Sequence, residues 1–159
     1  KLLYHQLLSS HPGRQAVQLT LPLEVEIPAP WRERFSELQP TLQELGFKLE
    51  PFGDNSYIVR QLPLSIKGEI TGRDINDLIE EMIREEPEPG LSTREQICRS
   101  IACHRAIKAK QMLSRQEMEK LLEEWQAVPG YQYCPHGRPS IISFHRSDLN
   151  KLFQRKGEN

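Results

Sequence analysis

The segment Cys134-Pro135-His136-Gly137-Arg138-Pro139 sets a thiol and an imidazole two residues apart. On an extended backbone, positions i and i+2 project from the same face, so both groups could grip one ion. Thiolate with imidazole is a borderline-soft pair, suited first to zinc and less to manganese or magnesium. Pro135 limits the backbone between them and Gly137 permits a tight exit. Cys103, on a preceding helical pattern, could supply a third ligand across the fold. Buried Cys-X-His pairs that hold no metal are also common, so the spacing alone leaves both readings open. Three protein ligands would leave a tetrahedral ion one short, to be completed by water or by a group from outside this chain.

Arg105, Lys108, Lys110, Arg138 and Arg155 lie near these ligands in sequence. Beside a metal, guanidinium and ammonium groups could hold phosphate oxygens. The alternative is that they are solvated helix faces or ion-pair partners. Arg138, fixed between Gly137 and Pro139, is the strongest candidate. Three cysteines, an odd number, argue against a disulfide framework and fit a reducing compartment. Cys98 reads as a small buried apolar residue, and His104 as a surface residue or one facing nucleic acid.

The elements that must position these groups can be read along the chain of 159 residues, long enough for one sizeable domain or two small subdomains. At 37% hydrophobic and 27% charged residues, the balance is that of a globular protein. No apolar run approaches the roughly 20 residues that span a bilayer, so no membrane partner and a cytoplasmic location are expected. Residues 1–93 carry nine basic against fifteen acidic side chains, and residues 94–159 carry twelve against seven. A basic half beside an acidic half fits a domain of which one part faces a polyanion.

Leu2 to Leu8 reads as the end of a helix, stopped at Ser9-Ser10-His11-Pro12-Gly13. Gln18 to Ile27 alternates as a strand interrupted at Pro22. Phe35, Leu38, Leu42 and Leu45 fall at helical spacing, with Gly46 as the residue past the helix end. Pro40 should kink or split that helix. Two strands, Phe47 to Pro51 and Tyr57 to Leu64, flank a turn at Gly53-Asp54-Asn55-Ser56. Thr71 and Asp74 cap a helix whose buried face is Ile75, Leu78, Ile79 and Met82. Glu85 to Gly90 reads as an acidic linker. Ser92 with Glu95, and Ser114 with Glu117, have capping-box spacing. The first box starts a helix running on to Ala109. The second starts one with the stripe Met118, Leu121, Leu122 and Trp125, which reads as core or partner-facing surface. A strand over Ser140 to Phe144 and a short helix capped by Ser147 end the chain. The alternation is α+β.

These blocks, in this order, resemble the C-terminal domain of MutL-type DNA mismatch repair proteins. Ala102 to Ala109 is similar to the family's Ala-Cys-x-x-(Ala/Ser)-Ile-Lys-Ala block. Cys134 to Pro139 matches its Cys-Pro-His-Gly-Arg-Pro without a gap, and Phe153-Gln154-Arg155 its terminal Phe-x-Arg. Gly53 to Arg60 resembles a further stretch. The family's endonuclease signature, Asp-Gln-His-Ala-x-x-Glu, precedes a Tyr-Glu pair. Tyr4-His5 looks like the tail of that block, with His5 where Glu is usual. The signature would lie before Lys1, so the resemblance places the catalytic acidic residue upstream and leaves this chain with half of the active site.

The resemblance implies a two-subdomain, homodimeric α+β fold. Its dimerisation and metal-binding subdomain would use residues 1–22 and 94–159, with an inserted regulatory subdomain at 23–93. It implies nicking of duplex DNA during mismatch repair. Cys103, Cys134 and His136 would bind zinc in a regulatory or structural role, and manganese or magnesium would serve catalysis. Arg138, Lys108, Arg105 and Arg155 would face DNA. Gln18, Leu19, Leu21 and Pro22 look like the family's peptide for the replication sliding clamp, or are an edge strand and nothing more. A MutS-type mismatch sensor is the further expected partner. The rival reading is a non-catalytic dimerisation and docking module with a structural zinc. A zinc-stabilised nucleic-acid-binding domain is a third, for which a net charge near zero predicts weak DNA binding.

Overall fold

Six helices and a three-stranded sheet form the protein in a computed structural model, which describes residues 1–10, 16–66, 70–108 and 111–154. In chain order they are α1 (Leu2–Ser9), β1 (Ala16–Glu26), a 3-10 turn (Ala29–Trp31), α2 (Arg32–Glu44), β2 (Lys48–Phe52), β3 (Ser56–Pro63), α3 (Gly72–Arg84), α4 (Thr93–His104), α5 (Arg115–Gln126) and α6 (Arg146–Leu152). The α+β class expected from the alternation is what is observed.

The sheet is antiparallel with order β1-β3-β2. β1 pairs regularly from Leu23 to Glu26, and again from Ala16 to Gln18. Between these stretches four residues of β1, Leu19 to Pro22, stand opposite one on β3, Arg60. The extra residues include Pro22, which cannot donate to a ladder and belongs at such an irregularity. Leu21 therefore stands 78% exposed on an edge strand.

One buried cluster runs through the molecule, from Leu7 of α1 through Val25, Phe35, Val59 and Leu78 to Ile97, Cys98 and Ile101 of α4. Periodicity explains the helical part. In α3 the buried set Ile75, Leu78, Ile79 and Met82 lies on one face, and Thr71 with Asp74 closes a capping box at its start. α3 begins so close to β1 that a Cβ on Gly72 would lie 2.6 Å from the Glu24 carbonyl oxygen. Asn76 Oδ1 accepts the Glu26 amide at 2.9 Å and fixes the same approach.

Several sequence expectations are corrected. α2 continues through Pro40 without splitting. Pro40 deprives the Ser36 carbonyl of its donor, but both residues are exposed, so water can satisfy that oxygen. The helix ends as expected at Gly46, whose φ of 100° allows the Phe47 amide to reach the Leu42 carbonyl at 3.0 Å, with Gly46 bonding Gln43. α4 stops at His104, short of Ala109, which lies outside the described residues. Residues 140–144 form no strand. Ile141, Ile142 and Phe144 are exposed, and a single bridge, Tyr133 to Pro139, is all the pairing there. α6 starts from His145, whose amide donates to Asp148 Oδ2 at 3.1 Å, two residues earlier than Ser147 suggested. Among the described residues no helix is long and apolar enough to cross a membrane.

Candidate metal and nucleic-acid site

Cys103 sits at the end of α4, where the capping box at Ser92 and Glu95 starts the helix and the buried face of Ile97, Cys98 and Ile101 sets its rotation. Cys134 and His136 come from a tight hairpin. Its Cys134 amide donates to the Arg138 carbonyl at 2.8 Å, and the Gly137 amide to the Cys134 carbonyl at 3.0 Å. Gly137 has φ 76°, the left-handed conformation the turn requires. Outside the turn, the Ser140 amide reaches the Gln132 carbonyl at 2.7 Å, and Tyr131 packs edge-on against Trp125 of α5, centroids 5.0 Å apart. The segment is thus a turn and not the extended strand from which a shared face for Cys134 and His136 was argued.

Convergence comes instead across the fold. Cys103 Sγ lies 3.8 Å from His136 Nδ1. A tetrahedral zinc with bonds of about 2.3 Å to sulfur and about 2.0–2.1 Å to nitrogen holds its S and N ligands about 3.6 Å apart, so this pair is spaced and typed for that ion. Cys134 is near enough that its thiolate would oppose ionisation of Cys103. Burial, reinforced by Glu81, holds the Cys103 thiol above its ordinary range. A cation would reverse that preference, since the thiolate is the ligand form. Among the described residues no group of three or more Cys, His, Asp or Glu side chains is already arranged around one point. The donor types and the one close pair fit zinc, and further donors would have to move in or be added.

The basic residues are distributed unevenly around the pair. Lys108 Nζ donates to the Cys103 carbonyl at 2.8 Å, adding a charged donor to an acceptor at the end of α4 that the Ala106 amide also reaches at 3.4 Å. Arg138 is exposed on the hairpin, its carbonyl engaged in the turn and its side chain outward in accessibility. Arg105 is half-buried and within electrostatic range of Asp74. Arg155 and Lys110 lie outside the described residues. His104 is not the surface residue the sequence suggested, because its Nδ1 faces Glu81 Oε2 of α3 at 3.3 Å. Of the four residues read as a clamp peptide, Gln18, Leu21 and Pro22 are exposed and Leu19 is half-buried against the core, all at the irregular part of β1.

Sequence reasoning missed Arg99 and Ser100. Both are buried on α4 and reach Glu85 or Glu88 in the stretch read as an acidic linker. The signal was available as two polar residues inside an apolar helix pattern, a few positions after a run of acids.

The family described as the MutL C terminal dimerisation domain matches residues 1–113. DNA mismatch repair protein MutL of Halothermothrix orenii is 33% identical over 161 residues, covering 98% of this chain and 25% of that protein. The protein of the same name from Listeria monocytogenes is 35% identical over 151 residues, covering 90% of this chain and 24% of its own length. That from Thermoanaerobacter pseudethanolicus is 33% identical over 156 residues, covering 98% and 25%. The chain spans about a quarter of the length of these relatives. A match of this extent by both routes shows that the chain belongs to the MutL family, in the region of its C-terminal dimerisation domain.

Proposed function

We propose that this chain is the dimerising, metal-holding part of a mismatch repair endonuclease that nicks one strand of duplex DNA. The observation that carries the reading is the 3.8 Å approach of Cys103 Sγ to His136 Nδ1 from separate elements. Cys103, Cys134 and His136 would hold zinc, with manganese or magnesium serving catalysis. When bound, such ions supply Lewis acidity and an activated water for phosphodiester hydrolysis. The chain's own contribution is to present donors, with the two cysteines half-buried and His136 exposed, and to offer Arg138 to a phosphate oxygen while Arg105 and Lys108 add positive charge nearby. In the full-length protein, His136→Ala should lower nicking of supercoiled plasmid by about 100-fold or more, in line with the loss of a metal ligand. Nicking at the wild-type rate would end the endonuclease assignment for this site.

Self-association is the second half of the proposal. Of fifteen large hydrophobic side chains exposed among the described residues, eleven fall between Ile107 and Phe153. Among the described residues of that segment Val128 alone is buried. α5 carries the apolar stripe Met118, Leu121, Leu122 and Trp125 yet has no buried residue, as expected of a helix whose cover is a second copy. This fits the division into a dimerisation subdomain of residues 1–22 and 94–159 and an inserted subdomain at 23–93, whose first boundary falls in the irregular part of β1. Gln18, Leu19, Leu21 and Pro22, bulged from an edge strand, would dock on the sliding clamp. The mismatch sensor would act on the assembled protein.

The same apolar face favours the second reading, a non-catalytic dimerisation and docking module with a structural zinc. Nicking separates the two, because that module would dimerise and bind zinc without cutting DNA.

A further inference from the structure

Arg99 is buried, 7% exposed, in the middle of α4. Its guanidinium pairs through one terminal nitrogen with Glu88 and stands 3.9 Å from Glu85 through the other. Ser100, 1% exposed, donates its hydroxyl to Glu85 Oε2 at 2.9 Å. The Arg99 Nε is buried without a hydrogen-bond partner, so the guanidinium sits where two carboxylates dictate and its third face gains nothing. The connection between α3 and α4, composed like a loose acidic linker, is thereby fastened to the helix that follows it. A second fastening lies five residues on, where His104 Nδ1 meets Glu81 of α3 at 3.3 Å.

Cys103 lies between these attachments. It is four residues beyond Arg99, hence on the same side of the helix one turn along, and adjacent to His104. A helix held only by its apolar face can slide or roll slightly within the core. Roll of α4 would carry Cys103 off the His136 turn, whose position is set separately by the hairpin and by Trp125. Two polar attachments to α3 and its connection, one on each side of Cys103, remove that freedom.

We propose that the lock of Arg99 on Glu85 and Glu88 is a positioning device that presets Cys103 for capture of a metal ion, so that the α3–α4 connection and the metal site work as one unit. The proposal rests on the zinc reading given above. Arg99 is a positioning residue, acting through Cys103 and touching no metal. Exposed ion pairs would be poor anchors, but Arg99 is buried, and removing either acid strands part of a desolvated charge.

The test uses Arg99→Lys, whose point-charge ammonium cannot span two carboxylates as a guanidinium does, and Glu88→Gln. The Glu88 side chain is 53% exposed, so that variant should fold. Zinc affinity is measured by competition with a chromogenic chelator, beside thermal melting of the zinc-free protein. Both variants should bind zinc about 10–100-fold more weakly, the range for groups that orient a metal ligand. A lower melting temperature with zinc affinity within twofold of wild type would overturn the proposal, because a merely structural role predicts that. If wild type binds no zinc, the metal reading fails and the lock is read by alkylation instead. In a Cys134→Ser background, with Cys98 buried, iodoacetamide reports on Cys103. Alkylation accelerated several-fold by Glu88→Gln supports the lock, and an unchanged rate refutes it.

Discussion

Cys98 and Cys103 share helix α4 and face opposite chemical worlds. Cys98 has no exposed surface and burial pushes its thiol up to about 11, whereas Cys103 is half-buried beside His136. The folded-state value of Cys98 is thus raised from an ordinary 9.0 to about 11. A raised value means that the folded state keeps its proton longer than the unfolded state does. The associated stability is complete below pH 9 and is lost as pH climbs towards about 11. Urea midpoints measured from pH 8 to 11 should therefore fall more steeply for wild type than for Cys98→Ala. Parallel slopes would show that Cys98 is not buried as described. Native-state labelling should modify Cys103 and Cys134 and spare Cys98.

Gly72 tests the packing of α3 on the sheet. An added Cβ would meet the Glu24 carbonyl oxygen at 2.6 Å, and that atom is backbone, not the movable end of a side chain. Gly72→Ala should destabilise the protein by about 1–3 kcal/mol, the usual cost of overpacking. Chemical denaturation reads this directly, and a neutral or stabilising result would contradict the close approach.

Most of the fold was legible in the residues because local and global signals agree there. Capping boxes at Thr71, Ser92 and Ser114, the apolar faces of α2 and α3, and Gly46 as helix terminator all occur where expected. Legibility failed where tertiary context decided. Pro40 is tolerated because it and Ser36, whose carbonyl it leaves without a donor, are both exposed, and residues 140–144 alternate like a strand but find no neighbour to pair with. At the site, donor types were legible but their convergence was not. Cys103 and His136 are 33 residues apart, and only the fold places them 3.8 Å from each other. The inward turn of His104 and the Arg99 lock were hidden for the same reason, since each depends on an acid from α3 or the connection after it.

The exposed apolar segment makes a prediction about assembly. Leu122, 53% exposed, and Ile142, 72% exposed, touch little within one protomer. Leu122→Glu and Ile142→Asp should leave the circular dichroism spectrum unchanged while shifting the protein from dimer towards monomer by sedimentation velocity. A full dimer in both variants would move the contact elsewhere on the surface.

Zinc content per chain tests the central claim most directly, measured on protein purified without added chelator, wild type beside Cys103→Ser and His136→Ala. The account predicts close to one zinc per wild-type chain and its loss in both variants, because the pair that meets across 3.8 Å supplies two of the ligands. Equal zinc in all three proteins, or none in wild type, would contradict it.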